Sequence, residues 1–211
     1  MAIIPIFCKN TSFLLLWVLV FNAISLNMTK KYDLVILDRD GVINNAEPIY
    51  VTSLEDFSLI PGSAKAISLL NQEGIPVALA SNQAGVARGL FSHETLEAIF
   101  SSMQEQLARE GAHIDFLNYC LDHPDDQKSL RRKPKPGMLL EASAHFNIAL
   151  DRALFVGDDI RDYKAAQAAK CDFALVKTGY GQQVLAKHQA SFKGVLVYNN
   201  LLELVKDQLC L

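Results

Sequence analysis

Tyr32-Asp33-Leu34-Val35-Ile36-Leu37-Asp38-Arg39-Asp40-Gly41 is the stretch whose reading decides the fold. A short apolar run, Tyr32 to Leu37, stops directly on two acids that flank an arginine. Such a run reads as a strand buried on both faces, as in a parallel sheet. Ligands of open α/β sheets bind beyond the carboxyl ends of the strands, which is where Asp38 and Asp40 fall. Two carboxylates at about 4 Å repel by about 4 kcal/mol at an effective dielectric of 20. A cation must offset that, or one carboxyl must keep its proton. Gly41 permits the tight turn that lets backbone approach a ligand.

Working outward, strand and helix alternate. Pro61-Gly62-Ser63 opens a helix through Ala64, Ile67, Leu69 and Leu70 that Gly74 stops. Ile75 to Ala80 is the next apolar run, His93 to Glu110 has helical spacing, and Ile114 to Cys120 reads as a strand. Asp122 to Gly137 is polar, basic and rich in proline, hence a loop. Met138 to Phe146 and Asp162 to Lys170 read as helices, Ala153 to Val156 and Phe173 to Val176 as strands, and Val195 to Leu209 as a last strand and helix. Alternation of this kind predicts an α/β fold, a central parallel sheet with helices on both faces. Its strand ends would carry Asp38 and Asp40, then Ser81 and Asn82, then Asp158 and Asp159.

Three acids around one crevice offer only oxygen, which suits Mg²⁺ better than zinc. Ser81 and nearby backbone N–H groups would hold phosphoryl oxygens, or Ser81-Asn82 would cap a helix. In Arg131-Arg132-Lys133-Pro134-Lys135-Pro136-Gly137, a lysine is suited to neutralise a phosphoryl group and an arginine to grip a second anion.

The whole chain has 211 residues, suited to one domain with a full core, and a net charge of −3, which gives no basic field for nucleic acid. Four scattered cysteines (Cys8, Cys120, Cys171, Cys210) with no CxxC pair point to a reducing compartment. The N-terminus divides off as an apolar segment, 1–27, ahead of a main domain, 28–211. Its run Phe13 to Phe21 is short of the roughly 20 apolar residues of a membrane span. Three readings stand: a start that belongs at Met28, a signal or anchor with small residues Ala23 and Ser25, or a packed helix. The first makes the protein cytoplasmic and away from membranes; the second makes it exported or anchored.

Asp38-x-Asp40-Gly41, Ser81-Asn82, Lys133 and Gly157-Asp158-x-x-x-Asp162 resemble, in order and separation, the four motifs of the haloacid dehalogenase (HAD) superfamily. Leu37 to Asn44, Ser81 to Gly89 and Arg132 to Met138 are similar to the D,D-heptose 1,7-bisphosphate 7-phosphatase family and its relative, the histidinol-phosphatase domain. The resemblance implies a three-layer Rossmann-like fold with a minimal cap, in an Mg²⁺-dependent phosphatase of a small phosphorylated sugar. The protein is expected to be a monomer. Asp38 would be the nucleophile, Asp40 the proton donor and then the base, and Ser81 and Lys133 would stabilise the phosphoryl group. Mg²⁺ would be held by Asp38, the Asp40 backbone carbonyl and Asp158, with Asp162 supporting the metal site or Lys133 from behind. Asn82, Gln83, Ala84 and Arg132 would bind substrate, Arg132 reading a second phosphate or the sugar. Asn44 to Tyr50 matches the flap segment of the family loosely.

One departure concerns a structural zinc that the family commonly holds with a Cys-x-His and a Cys-x-Cys pair. Here Asp122 follows Cys120 at the histidine position, His123 stands next to it, and Ser129-Leu130-Arg131 precede Arg132. With two donors at best the loop predicts no zinc, and is expected to be held by its prolines and ion pairs instead. Another substrate such as histidinol phosphate, a phosphotransferase, and a non-catalytic module that binds phosphorylated ligands are the alternatives.

Overall fold

The computed structural model describes residues 31–47 and 49–208. The apolar segment 1–27, the choice among its readings, and Cys8 and Cys210 lie outside them. Among the described residues no helix is long and apolar enough to cross a membrane.

Along the chain come β1 (Leu34–Leu37), α1 (Ser63–Gln72), β2 (Val77–Leu79), β3 (Ser81–Asn82), α2 (Ala84–Ala87), α3 (His93–Ala108), β4 (Tyr119–Cys120), α4 (Gly137–Phe146), β5 (Ala153–Gly157), α5 (Ile160–Ala169), β6 (Asp172–Val176), α6 (Gly181–Lys187), β7 (Leu196–Tyr198) and α7 (Leu201–Gln208). Five strands form a parallel sheet in the order β2-β1-β5-β6-β7. β3 and β4 pair in parallel beside it, with Ser81 opposite Tyr119.

The two faces follow from the two-residue period of a strand. Val35, Leu37, Val77, Leu79, Leu154 and Val156 share a core with Ile67 of α1, Ile99 and Phe100 of α3 and Leu204 of α7. Leu34, Ile36, Ala78, Phe155 and Leu175 share another with Met138 and Leu139 of α4 and Ala165 and Ala166 of α5. Helices thus cover both sides of the sheet, and the three-layer expectation holds. Each fully buried Leu, Ile, Val or Phe contributes about 1.5–3 kcal/mol.

The predicted strand Ile114–Cys120 runs parallel to residues 77–83, whose Leu79 and Ser81 N–H groups donate to the Phe116 and Asn118 carbonyls (2.8 and 3.1 Å), but only its end is regular strand. It pairs at Phe116, bridged to Ala78, and again at β4. Side chains take its first backbone groups: Gln104 on α3 brackets Ile114 by donating to its carbonyl (2.9 Å) and accepting from its N–H (3.0 Å). The helix expected from Asp162 starts earlier, at Ile160, because Asp159 caps it and Asp162 closes a capping box with Asp159. α6 was not expected, and α2 stands where only a turn was read. Residues 38–62, between β1 and α1, carry turns and isolated bridges with no helix or strand among those described, in keeping with a minimal cap.

Candidate active site

β1 ends at Leu37, and the Asp38 N–H still donates to the Val156 carbonyl of β5 (2.9 Å), which places Asp38 at the carboxyl edge of the sheet. Its Oδ1 accepts from the Arg39 N–H (2.8 Å) and lies 2.8 Å from the Lys133 ammonium. The same ammonium is 2.8 Å from Asp162 Oδ1. Lys133 reaches this point from a loop, yet it is only 3% exposed. Asn82 holds it there: the Asn82 side chain accepts from the Lys133 N–H (3.0 Å) and donates to the Lys133 carbonyl (3.1 Å). Ser81-Asn82 is therefore a short strand that braces the lysine loop, and neither residue is a helix cap.

Asp158 enters from the end of β5. Its Oδ2 accepts from the Tyr180 N–H (2.8 Å). Gly41 and Gly179 close over it, both at positive φ, and a Cβ on either would come within 2.1 Å of Asp158 Oδ2. Asp38, Asp158 and Asp162 thereby present carboxylate oxygens all within 4.8 Å of one another.

At that spacing each pair repels by about 3–4 kcal/mol, while each lysine contact attracts by about 6 kcal/mol at the same effective dielectric of 20. Repulsion and attraction roughly cancel, so the burial cost, several kcal/mol per ion, is left over. Burial accordingly pushes the Asp38 carboxyl up to about 7 against the pull of Lys133. Burial first, then Asp162 and Asp38, holds Asp158 well above the usual carboxylate range. Burial alone would lower the Lys133 ammonium, but Asp162 and Asp38 outweigh it and hold it above the usual lysine value.

Asp40 has a different environment. The Arg39 guanidinium donates to both its oxygens (2.9 and 3.0 Å), Asn44 donates to Oδ1 (2.9 Å) and Gln83 to Oδ2 (3.2 Å). Arg39 is 1% exposed and lies over the Phe100 ring at 5.5 Å. Gln83 also donates to the Ser81 hydroxyl (2.8 Å), which links Asp40 to the β3 end.

A cleft of about 130 Å³ opens above these groups. Every residue proposed from the sequence lines it: Asp38, Asp40, Ser81, Asn82, Gln83, Ala84, Arg132, Lys133, Asp158 and Asp162. The flap segment contributes Ala46, Ile49, Tyr50 and, just beyond it, Val51. The sequence reading missed Arg39, Phe91, Arg161 and Tyr180, which also line the cleft. Arg39 was given no role, although a charge following a buried strand demands a partner. Arg161 pairs with Asp159 at 2.8 Å. Its position within the first turn of a helix, two residues after an acid, is the signal that would have found it.

Comparison with known proteins places this geometry. Residues 130–204 match the HAD-hydrolase-like family model. A D-glycero-beta-D-manno-heptose-1,7-bisphosphate 7-phosphatase of Pseudomonas aeruginosa is 42% identical over 168 residues, 80% of this chain and 93% of the relative. The chain belongs to that HAD-like phosphatase family. The crystal structure of D,D-heptose 1,7-bisphosphate phosphatase from B. bronchiseptica, complexed with magnesium and phosphate, superposes with a TM-score of 0.80 at 38% identity, covering 84% of this chain and 98% of the other. The Burkholderia thailandensis enzyme of the same name gives a TM-score of 0.66 at 32% identity, covering 84% of this chain and 98% of the other.

For a HAD-like phosphatase the donor set fits a hard divalent cation, since it offers carboxylate oxygen alone. Asp162 spends Oδ1 on Lys133 and Oδ2 on the Asp159 N–H (3.1 Å). Asp38 Oδ2 and Asp158 Oδ1 take no hydrogen bond from the described residues. Those two acids therefore have oxygens to offer, and Asp162 stands behind them.

Proposed function

We propose that this phosphatase removes the 7-phosphate of a D-glycero-D-manno-heptose 1,7-bisphosphate with the help of Mg²⁺, a cytoplasmic step in nucleotide-activated heptose synthesis for the envelope. The observation that carries the reading is the Lys133 ammonium held 2.8 Å from both Asp38 and Asp162, with Asp158 in the same carboxylate group. Relatives that are named for this substrate, at 37–44% identity over most of the chain, support the choice of sugar.

Asp38 and Asp158, with the Asp40 backbone carbonyl, would hold Mg²⁺, which supplies positive charge where the anionic ester meets the acids. Lys133 and the Arg39 N–H fix the Asp38 carboxylate, which attacks phosphorus and forms the aspartyl-phosphate. Asp40 gives a proton to the leaving alkoxide and takes one from the water that hydrolyses the intermediate. Arg39, Asn44 and Gln83 keep its carboxyl oriented for both transfers. Lys133 and the Ser81 hydroxyl meet the equatorial oxygens as charge develops. Arg132 and Arg161, two guanidiniums lining the cleft, suit a second phosphate.

A panel of phosphate esters assayed with Mg²⁺ tests this. The heptose 1,7-bisphosphate is expected to lead histidinol phosphate and simple sugar monophosphates in kcat/KM by about tenfold or more, the value of one or two charge-assisted contacts. Equal turnover across the panel would remove the substrate assignment.

A further inference from the structure

The loop between β4 and α4 is polar, yet it delivers both Arg132 and Lys133 to the cleft. Two groups at its base account for that. Ser129 is buried; its hydroxyl donates to Asp122 Oδ2 (2.6 Å) and accepts from the Arg132 N–H (3.0 Å). The Asp122 carbonyl accepts from the Arg132 guanidinium (3.3 Å). The Cys120 thiol, at the end of β4, donates to the same Asp122 oxygen (3.2 Å). One aspartate thus ties the strand end, the start of the lysine loop and the Arg132 side chain together. Ser129 joins Asp122 to Arg132, because its hydroxyl donates to Asp122 and accepts from the Arg132 N–H at one point.

This base does not suit zinc. A structural zinc takes four thiolate or imidazole ligands. Here the group holds one thiol, which burial keeps protonated, one carboxylate and one hydroxyl, and their hydrogen bonds to one another use the oxygens. His123 is directed elsewhere, accepting from the Asp125 N–H (3.3 Å).

We infer that Asp122 and Ser129 form a metal-free clasp that positions Arg132 against the second phosphate of the substrate. Both are positioning residues, acting through Arg132 without touching the reacting atoms. The inference rests on the bisphosphate reading above.

The test compares Ser129→Ala, Ser129→Thr and Asp122→Asn, as full-length folded protein with Mg²⁺. Ser129→Ala is expected to raise KM for the bisphosphate about five- to tenfold, the range of one hydrogen bond, with kcat within about threefold. The same variant leaves KM for the 7-monophosphate, which lacks the second phosphate, unchanged. Ser129→Thr restores the hydroxyl and most of the wild-type KM. Asp122→Asn falls between. Adding Arg132→Ala to Ser129→Ala gives no further rise beyond that of Arg132→Ala alone, because both act at one contact. Unchanged KM in Ser129→Ala, or equal losses on both substrates, overturns the clasp. A second readout is independent of substrate choice. Protein stripped with EDTA and given Mg²⁺ alone is expected to recover full activity and melting temperature, with no zinc by elemental analysis. One zinc per chain overturns the clasp. If the wild type shows no preference for the bisphosphate, the substrate reading fails, and the clasp is decided by that zinc measurement.

Discussion

The end of β1 and the end of β4 both have to hold charged side chains in place, and they do it by opposite means. At β1, Asp38, Asp158 and Asp162 are held by a buried opposite charge, Lys133, at 2.8 Å from two of them. At β4, the half-buried Asp122 is held by two buried neutral donors, Ser129 and Cys120. The contrast teaches where the chain tolerates change. Removing a partner from a buried charge cluster strands the remaining charges, which costs about 3–5 kcal/mol. Removing one neutral donor strands no charge, and costs about 0.5–1.5 kcal/mol, the net worth of a typical neutral hydrogen bond.

The largest expected effect lies at the first region. Asp38→Asn is expected to lower kcat by about 10⁴-fold or more, as loss of a covalent nucleophile does elsewhere. Activity that persists in this variant would break the contrast outright, because the buried cluster would then be structural only. Lys133→Ala is expected to lower kcat by about 10²–10³-fold. It also removes the one cation among the described residues within hydrogen-bonding distance of Asp38 and Asp162, so its loss of stability in urea should be larger at pH 8 than at pH 5, where the acids can take up protons.

The pH dependence of the wild type sharpens the same point. The Asp38 carboxyl is pushed up to about 7 by burial, above its ordinary value. In the folded chain without a divalent ion it keeps a proton that the unfolded chain releases near pH 4. Its contribution to stability is therefore greatest in mild acid and falls as pH rises toward 7. Asp158, also raised, acts with the same sign. In EDTA the melting temperature should fall between pH 5 and pH 8, and saturating Mg²⁺ should narrow that fall. A melting temperature that rises over this window in EDTA would contradict the burial account.

Gly41→Ala is intermediate. A Cβ there would lie 2.1 Å from Asp158 Oδ2, at a φ of +84°, so the substitution should raise the Mg²⁺ concentration needed for half activity. Backbone strain of about 1–3 kcal/mol predicts a shift of about tenfold. The smallest effect belongs to the periphery of the cleft. Arg132→Ala should raise KM about tenfold with little change in kcat, as an anchor remote from the chemistry would.

Much of this arrangement was legible because local rules coincide. Apolar runs such as Leu34–Leu37 are buried on both faces, so their hydrophobicity is unbroken and the acids that end them stand out. All ten site residues fell in the one cleft for the same reason, since each sits at a strand end or in the loop that Asn82 braces. What escaped depends on side chains meeting across the fold. Gln104 on α3 diverts Ile114 from the ladder, and no local pattern near Ile114 encodes that. Arg39 pairs with its own neighbour Asp40 while sinking against Phe100, a contact between residues far apart in sequence. The clasp at β4 escaped likewise: the absence of two cysteines was readable, but that Ser129 and Asp122 bond to each other was not.

The central claim is that Asp38 is the atom donor of a covalent intermediate. Rapid acid quench of the enzyme turning over substrate with Mg²⁺, followed by borohydride reduction and peptide mass spectrometry, tests it directly. Reduction of an aspartyl-phosphate leaves homoserine at position 38, and the account predicts that product there and nowhere else. Intact aspartate at 38 in enzyme caught during active turnover, or a reduced carboxyl at Asp40, Asp158 or Asp162 instead, would contradict it.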